Sequence, residues 1–110
     1  MASPLNVFRT VTAQLTTSPA TLYTAPAGYT SIILMAQISN VTASTATADF
    51  SHYDGTHSTH LIKNFAIPAH DSASATTGKL VVQTGQSVVA SASVNSTLEI
   101  VLSVLETLNG

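Results

Sequence analysis

The sequence predicts an all-β fold, an antiparallel two-sheet β-sandwich of about eight strands. Three observations carry that expectation. Apolar residues recur with period two along short runs, and no helical period appears. Turn formers separate the runs: Thr17-Ser18-Pro19, Pro26-Ala27-Gly28, Asp54-Gly55, Pro68, Thr84-Gly85 and Asn95-Ser96. Serine and threonine supply more than a quarter of the chain, and hydroxyl side chains suit strand faces and turns better than helices.

The first strand is expected over residues 5–15, where Leu5, Val7, Val11, Ala13 and Leu15 share one face with Arg9 as the single charged interruption. A short second strand, residues 21–24, enters the Pro26-Ala27-Gly28 turn. Pro26 fixes its own φ there, and Gly28 can adopt the positive φ a tight turn requires. The third strand, residues 30–39, is the most hydrophobic, with Ile32, Leu34, Ala36 and Ile38 expected inward and Ile33 and Met35 on the other face. Apolar residues on both faces place it centrally in its sheet. Residues 22–38 together are expected to form the core hairpin of the sandwich.

Residues 47–53 resume as a strand, with Ala48, Phe50 and His52 on one face. Asp54-Gly55 turns the chain into a returning strand over residues 58–67, with Leu61, Phe65 and Ile67 inward, Lys63 interrupting and Pro68 stopping it. Residues 70–77 are too small and hydroxyl-rich to assign. Residues 78–83 form a strand, Thr84-Gly85 a turn, and residues 87–94 a strand with Val88, Ala90, Ala92 and Val94 on one face. After Asn95-Ser96 the last strand, residues 97–106, places Leu98, Ile100, Leu102 and Val104 inward. The expected organisation is a candidate N-terminal arm (1–6, with Pro4), one sandwich domain (7–106) and a C-terminal tail (107–110). Jelly-roll-like and immunoglobulin-like topologies both fit, because strand order is not encoded in the alternation.

Composition narrows the function. Charged residues are 7% of the chain, against roughly a quarter in typical domains. Arg9, Lys63 and Lys79 are its only basic residues, too few for the phosphate contacts of a nucleic-acid interface or for an anionic membrane surface. A neutral hydroxyl-rich surface suits burial against other subunits, since interface cores are depleted in charge, so a homo-oligomer or larger assembly is expected. The chain has no cysteine, which excludes a disulfide scaffold, a thiol nucleophile and cysteine-ligated zinc. No basic-then-apolar leader opens the sequence, and no apolar run approaches the roughly twenty residues of a membrane helix. Synthesis in the cytoplasm without secretion is the expectation.

The densest polar cluster is His-Tyr-Asp-Gly-Thr-His-Ser-Thr-His at 52–60. His52, Asp54, His57 and His60 are metal-ligand types, but no second carboxylate accompanies them, and a solvated hairpin tip is the expected reading over a structural metal or a pH-sensitive subunit contact. No nucleophile elbow and no phosphate-binding glycine loop occur. Glu99 and Glu106 lie seven residues apart on one strand, more than ~20 Å, too far to share a substrate. No enzyme and no cofactor are expected. Asn40-Val41-Thr42 and Asn95-Ser96-Thr97 match the glycosylation pattern but read as turn residues, and Tyr23, Tyr29 and Tyr53 read as packing residues with a wet hydroxyl rather than a sugar-binding patch.

Six pieces in order carry a resemblance: Tyr-Thr-Ala-Pro-Ala-Gly at 23–28, Asn40, Ile67-Pro68-Ala69, Lys79-Leu80-Val81, Gly85-Gln86 and Leu105-Glu106. Over about residues 20 to 107 the chain resembles small virion structural proteins of tailed bacteriophages. That resemblance implies a non-enzymatic component of the virion, with other virion proteins as partners. Foremost is a capsid decoration (cement) protein that binds the shell, clamps the major capsid protein and uses the N-terminal arm. A tail, neck or baseplate accessory is the alternative, and a free-standing glycan- or receptor-binding module is a third. Edge-strand pairing is one route by which such subunits join.

Overall fold

Alternation and turn chemistry resolve into nine strands in a computed structural model that describes residues 5–109. They are β1 (Asn6–Gln14), β2 (Ala20–Thr24), β3 (Tyr29–Asn40), β4 (Ala46–Tyr53), β5 (Ser58–Ile67), β6 (Ser72–Ser74), β7 (Leu80–Val82), β8 (Ser87–Ala92) and β9 (Leu98–Leu108). All pairings are antiparallel. The first sheet has the order β1-β9-β3-β6, with β7 also on β3, and the second the order β2-β8-β4-β5.

The pairings are nested. β4 pairs β5, β3 pairs β6 and β7, β2 pairs β8, and β1 pairs β9. This is one long antiparallel hairpin with β4 and β5 at its tip, wound so that successive rungs fall in alternate sheets. That winding is a jelly roll, which decides between the two topologies compatible with the sequence. The unassigned residues 70–77 supply β6, which lies on β3 at Gln37–Ser39, while β7 lies on β3 at Ser31–Ile33. One edge position is therefore split between two short strands.

Residues 22–38 are not a hairpin. β2 belongs to the second sheet and β3 to the first, so Pro26-Ala27-Gly28 carries the chain across the sandwich. The turn itself forms as its chemistry requires: Tyr29 N–H donates to Pro26 C=O at 3.1 Å, and Gly28 takes φ 84°. The third strand is central, between β9 and the β6/β7 edge, as its two apolar faces predict.

Its facing differs from expectation. Against β9 the register slips between Ile33 and Met35, leaving Leu34 as the extra residue of a β-bulge. The buried set is Ser31 and Ile33 before the bulge, then Ala36, Ile38 and Asn40 after it. Ile32 and Leu34, expected inward, face out. A second correction concerns Phe65, which lies opposite buried Ala48 but at the rim of edge strand β5, where it remains 44% exposed. Val94 is also outside the core, because β8 ends at Ala92. β9 follows its alternation faithfully, burying Leu98, Ile100, Leu102 and Val104, and it continues through Thr107 and Leu108, residues assigned above to a tail.

Phe50, Leu15, Ile33, Ile38, Ile67, Leu98, Ile100 and Leu102 fill the space between the sheets, with alanines 36, 46, 48, 90 and 92 allowing close approach. The expected arm lies almost wholly outside the described residues; only Leu5 and Asn6 of it are described, and Asn6 already pairs with Thr107.

Candidate functional site

Most of the sequence pieces that carry the resemblance act as structural pins, in two groups. Tyr23 leaves β2 and reaches across the core, where its hydroxyl donates to Glu106 Oε2 on β9 at 2.5 Å and lies 2.7 Å from Ser31 Oγ on β3. Glu106 Oε1 receives Arg9 Nε from β1 at 2.9 Å, with the carboxylate side chain 3% exposed and the guanidinium side chain 54% exposed. Three strands from both sheets thus meet at one carboxylate, and β3 joins through the Tyr23 hydroxyl. Burial, then the hydrogen bond to Glu106, pushes the Tyr23 phenol up to about 12. Beside it, Ala25 N–H donates to Gln86 C=O and Gly85 N–H donates to Ala25 C=O, tying the two turns of the resemblance together.

Asn40 is the second pin. Its Nδ2 donates to the carbonyls of Ser44 and Ile67 at 2.8 and 2.9 Å, and its Oδ1 accepts from Thr42 N–H and Oγ1–H at 2.9 and 2.7 Å. The expected turn asparagine is a buried side chain that holds the 41–45 loop against the end of β5. Asn95, by contrast, stays exposed and accepts from Thr17 N–H at 2.8 Å through Oδ1. Among the described residues every buried side-chain nitrogen and oxygen has a hydrogen-bond partner. Alternation of apolar residues gives no hint of Ser31, Arg9 or Glu106 as a unit; the cue is the place of Glu106 on the same parity as Leu98, Ile100, Leu102 and Val104.

The 52–60 segment is the hairpin tip between β4 and β5. Asp54 Oδ1 accepts the amides of Thr56 and His57 at 2.8 and 2.7 Å, and the His57 and Thr56 amides hold its carboxyl below the usual carboxylate range. His52 Nε2 is 3.0 Å from Gln86 Oε1, and Tyr53 Oη donates to Gly55 C=O at 2.9 Å. Asp54 is thus occupied in shaping the turn and His52 in joining it to the 83–86 turn. Among the described residues no three or more metal-ligating side chains gather, here or elsewhere. An open trough of about 410 Å³ runs between the edges β5 and β7, past His52, His60, Leu61, Val81 and Gln86. A smaller, more enclosed depression of about 170 Å³ on the outer side of the second sheet, lined by Asp49, Ser51, His60 and Ser91, falls below the ~300 Å³ at which ligand pockets begin.

The outer face of the first sheet carries an organised apolar surface. Cross-strand partners share a face, and one row reads Phe8 on β1, Leu105 on β9, Ile32 on β3 and Val81 on β7. It crosses the whole sheet, three inter-strand steps or roughly 14 Å. Phe8 is 75% and Val81 52% exposed. Leu34 and Met35, turned out by the bulge, lie beside it, and Val101 stands two rows away on the same face. The other paired strand residues of this face carry hydroxyls and amides, with Glu99 the only ionisable group among them.

No protein-family model and no curated protein matches the chain. Solved structures do share its fold. A protein of the acid-stable capsid of Helicobacter pylori bacteriophage KHP30 matches with TM-score 0.60 at 14% identity, covering 99% of this chain and 92% of the other. A subunit of Bacillus endospore appendages, described as disulfide-linked pili, matches with TM-score 0.54 at 14% identity, over 94% of this chain and 88% of the other. A protein of the IBDV viral particle matches with TM-score 0.55 at 14% identity, over 99% of this chain and 32% of the other. The fold of this chain is therefore one that capsid and pilus proteins also have.

Proposed function

We propose that the chain is a non-enzymatic structural subunit of a virus particle, and that in the particle it is a capsid decoration (cement) protein that binds the shell and stabilises it. The carrying observation is the apolar row Phe8-Leu105-Ile32-Val81 on a sheet face whose paired strand residues include one ionisable group. An exposed apolar band in a chain this poor in charge calls for a protein surface over it. The partner is accordingly another virion protein, foremost the major capsid protein. The fold shared with two viral particle proteins supports the particle as its setting. The pilus alternative relies on disulfide links, and this chain has no cysteine with which to make them.

Copy number in purified particles, measured by quantitative mass spectrometry, tests the proposal. Hundreds of copies per particle are expected of a decoration protein. Tens or fewer would move the chain to the tail, neck or baseplate. Absence from particles, with glycan-array binding that disappears when Tyr53 or His57 is replaced, would make it a free-standing glycan-binding module instead.

A further inference from the structure

The four sheet edges of this molecule are unequal. β2 has five residues and a register shift against β8. β5 carries two register shifts, a charged Lys63 and Asn64 at φ 51°. The fourth position of the first sheet is split between β6 and β7, three residues each. Bulges, shortness and charge are the devices that keep an edge from pairing. β1 has none of them along its free side: nine residues, an unbroken register with β9, and no proline or positive φ. Its one charge, Arg9, shares the parity of Leu15 and is held by Glu106.

The direction of its backbone groups follows from the register. Leu108 N–H donates to Leu5 C=O and Leu15 N–H donates to Leu98 C=O, both at 2.8 Å. In an antiparallel ladder these are hydrogen-bonded pairs, and such pairs recur at every second residue. Odd-numbered residues of β1 therefore bond to β9, and Asn6, Phe8, Thr10, Thr12 and Gln14 aim their N–H and C=O groups at the free edge. Their side chains are uncharged.

We infer that β1 pairs antiparallel with β1 of a second copy of this chain, about a two-fold axis at Thr10, joining the two first sheets into one continuous sheet. The occupant is argued from self-complementarity. Centred on Thr10, all five outward-aimed residues of one copy meet the five of the other: Asn6 opposite Gln14, Phe8 opposite Thr12, Thr10 opposite Thr10. Every free donor then has an acceptor. Arg9 falls opposite Val11 of the second copy, so no like charges face each other across the seam. A two-fold contact of one patch with itself closes as a dimer. The inference concerns the edge and not the apolar face, so it stands apart from the identity of the particle protein that covers that face.

The test uses engineered thiols in the full chain, which has no cysteine of its own. Directly opposed residues of a hydrogen-bonded pair stand ~5.5 Å apart at Cα, within disulfide reach. Under mild oxidation Thr10→Cys is expected to form a covalent dimer at least tenfold faster than Phe8→Cys or Thr12→Cys alone, while a mixture of those two cross-links to each other. Equal rates for all three, or a Thr10→Cys protein that remains monomeric at particle-like concentration, would overturn the inference, as would its capture by a different virion protein in place of itself. Thr10→Pro removes a donor aimed at the free edge and none used by β9. It is expected to keep the wild-type circular dichroism and to lose the dimer in sedimentation equilibrium; a dimer that persists contradicts the seam.

Discussion

At the scale of single residues, Glu106 is the buried charge that joins the two sheets. It receives Tyr23 from the opposite sheet and Arg9 from the neighbouring strand while itself buried. Removing one partner of a buried polar pair leaves the other without a bond, at about 1–3 kcal/mol. Tyr23→Phe should therefore lower unfolding stability by that amount in urea titrations, although it removes a single oxygen. It should also alter the alkaline limb. The folded-state Tyr23 pKa stands near 12 against 10.0 for a free phenol, so the unfolded chain releases this proton first. Stability is then full below pH 10.0 and declines as pH rises toward about 12. The decline should be shallower in Tyr23→Phe than in the wild type, and an unchanged slope would contradict the assignment. Asn40→Ala strips partners from the carbonyls of Ser44 and Ile67 and from Thr42; we expect a loss of about 2–3 kcal/mol, measured in the same way.

At the scale of the element, the bulge in β3 decides what the strand shows to each side. Leu34 is one residue more than β9 can match. Deleting Leu34 should let Ile33 and Met35 follow one another in register while Ser31, Ile33, Ala36 and Ile38 all stay inward, so the fold should survive with a stability change of about 1 kcal/mol or less. Deleting Gln37 instead leaves the bulge and sends Ile38 and Asn40 to the wrong face. That protein should fail to fold, as read by circular dichroism and solubility. If both deletions behave alike, the bulge is not what sets the two phases. The run Ile32-Ile33-Leu34-Met35-Ala36 hides this, because five consecutive apolar residues carry no alternation from which a change of phase can be recognised. β9, whose alternation is clean, is legible along its length apart from its last two residues.

At the scale of the whole molecule, surface chemistry divides the sandwich. The first sheet presents an apolar row, whereas Ser51, Ser87 and Ser91 on the second are small hydroxyl-bearing side chains that are themselves nearly buried. Phe8→Ser and Val81→Ser alter exposed side chains, so stability should move by no more than about 0.5 kcal/mol. Binding of the purified protein to particles stripped of it should nevertheless fall at least tenfold for the double variant, measured by cosedimentation. Retained binding would relocate the contact to another surface. The pieces behind the virion resemblance have a different standing. Tyr23, Asn40 and Glu106 bond from buried positions, and the Gly85-Gln86 turn is tied to Ala25, so these pieces mark an architecture.

The amino-acid sequence alone determined the fold class, most strand positions and the local turns, because alternation, proline and glycine act over a few residues and need no distant partner. It also limited the chemistry: three basic residues and no cysteine leave little for nucleic acid, thiol or disulfide function. Only the tertiary structure decided the nested pairing of a jelly roll, the crossing of Pro26-Ala27-Gly28 from one sheet to the other, and the phase reversal at Leu34. It alone brought Tyr23 to Glu106 and aligned Phe8, Leu105, Ile32 and Val81 into a row. The reason is common to all of these. Strand partners here are separated by up to the whole chain, as Asn6 is from Thr107, and which strand meets which is settled by closing the shared core, a long-range event that short-range sequence patterns do not encode.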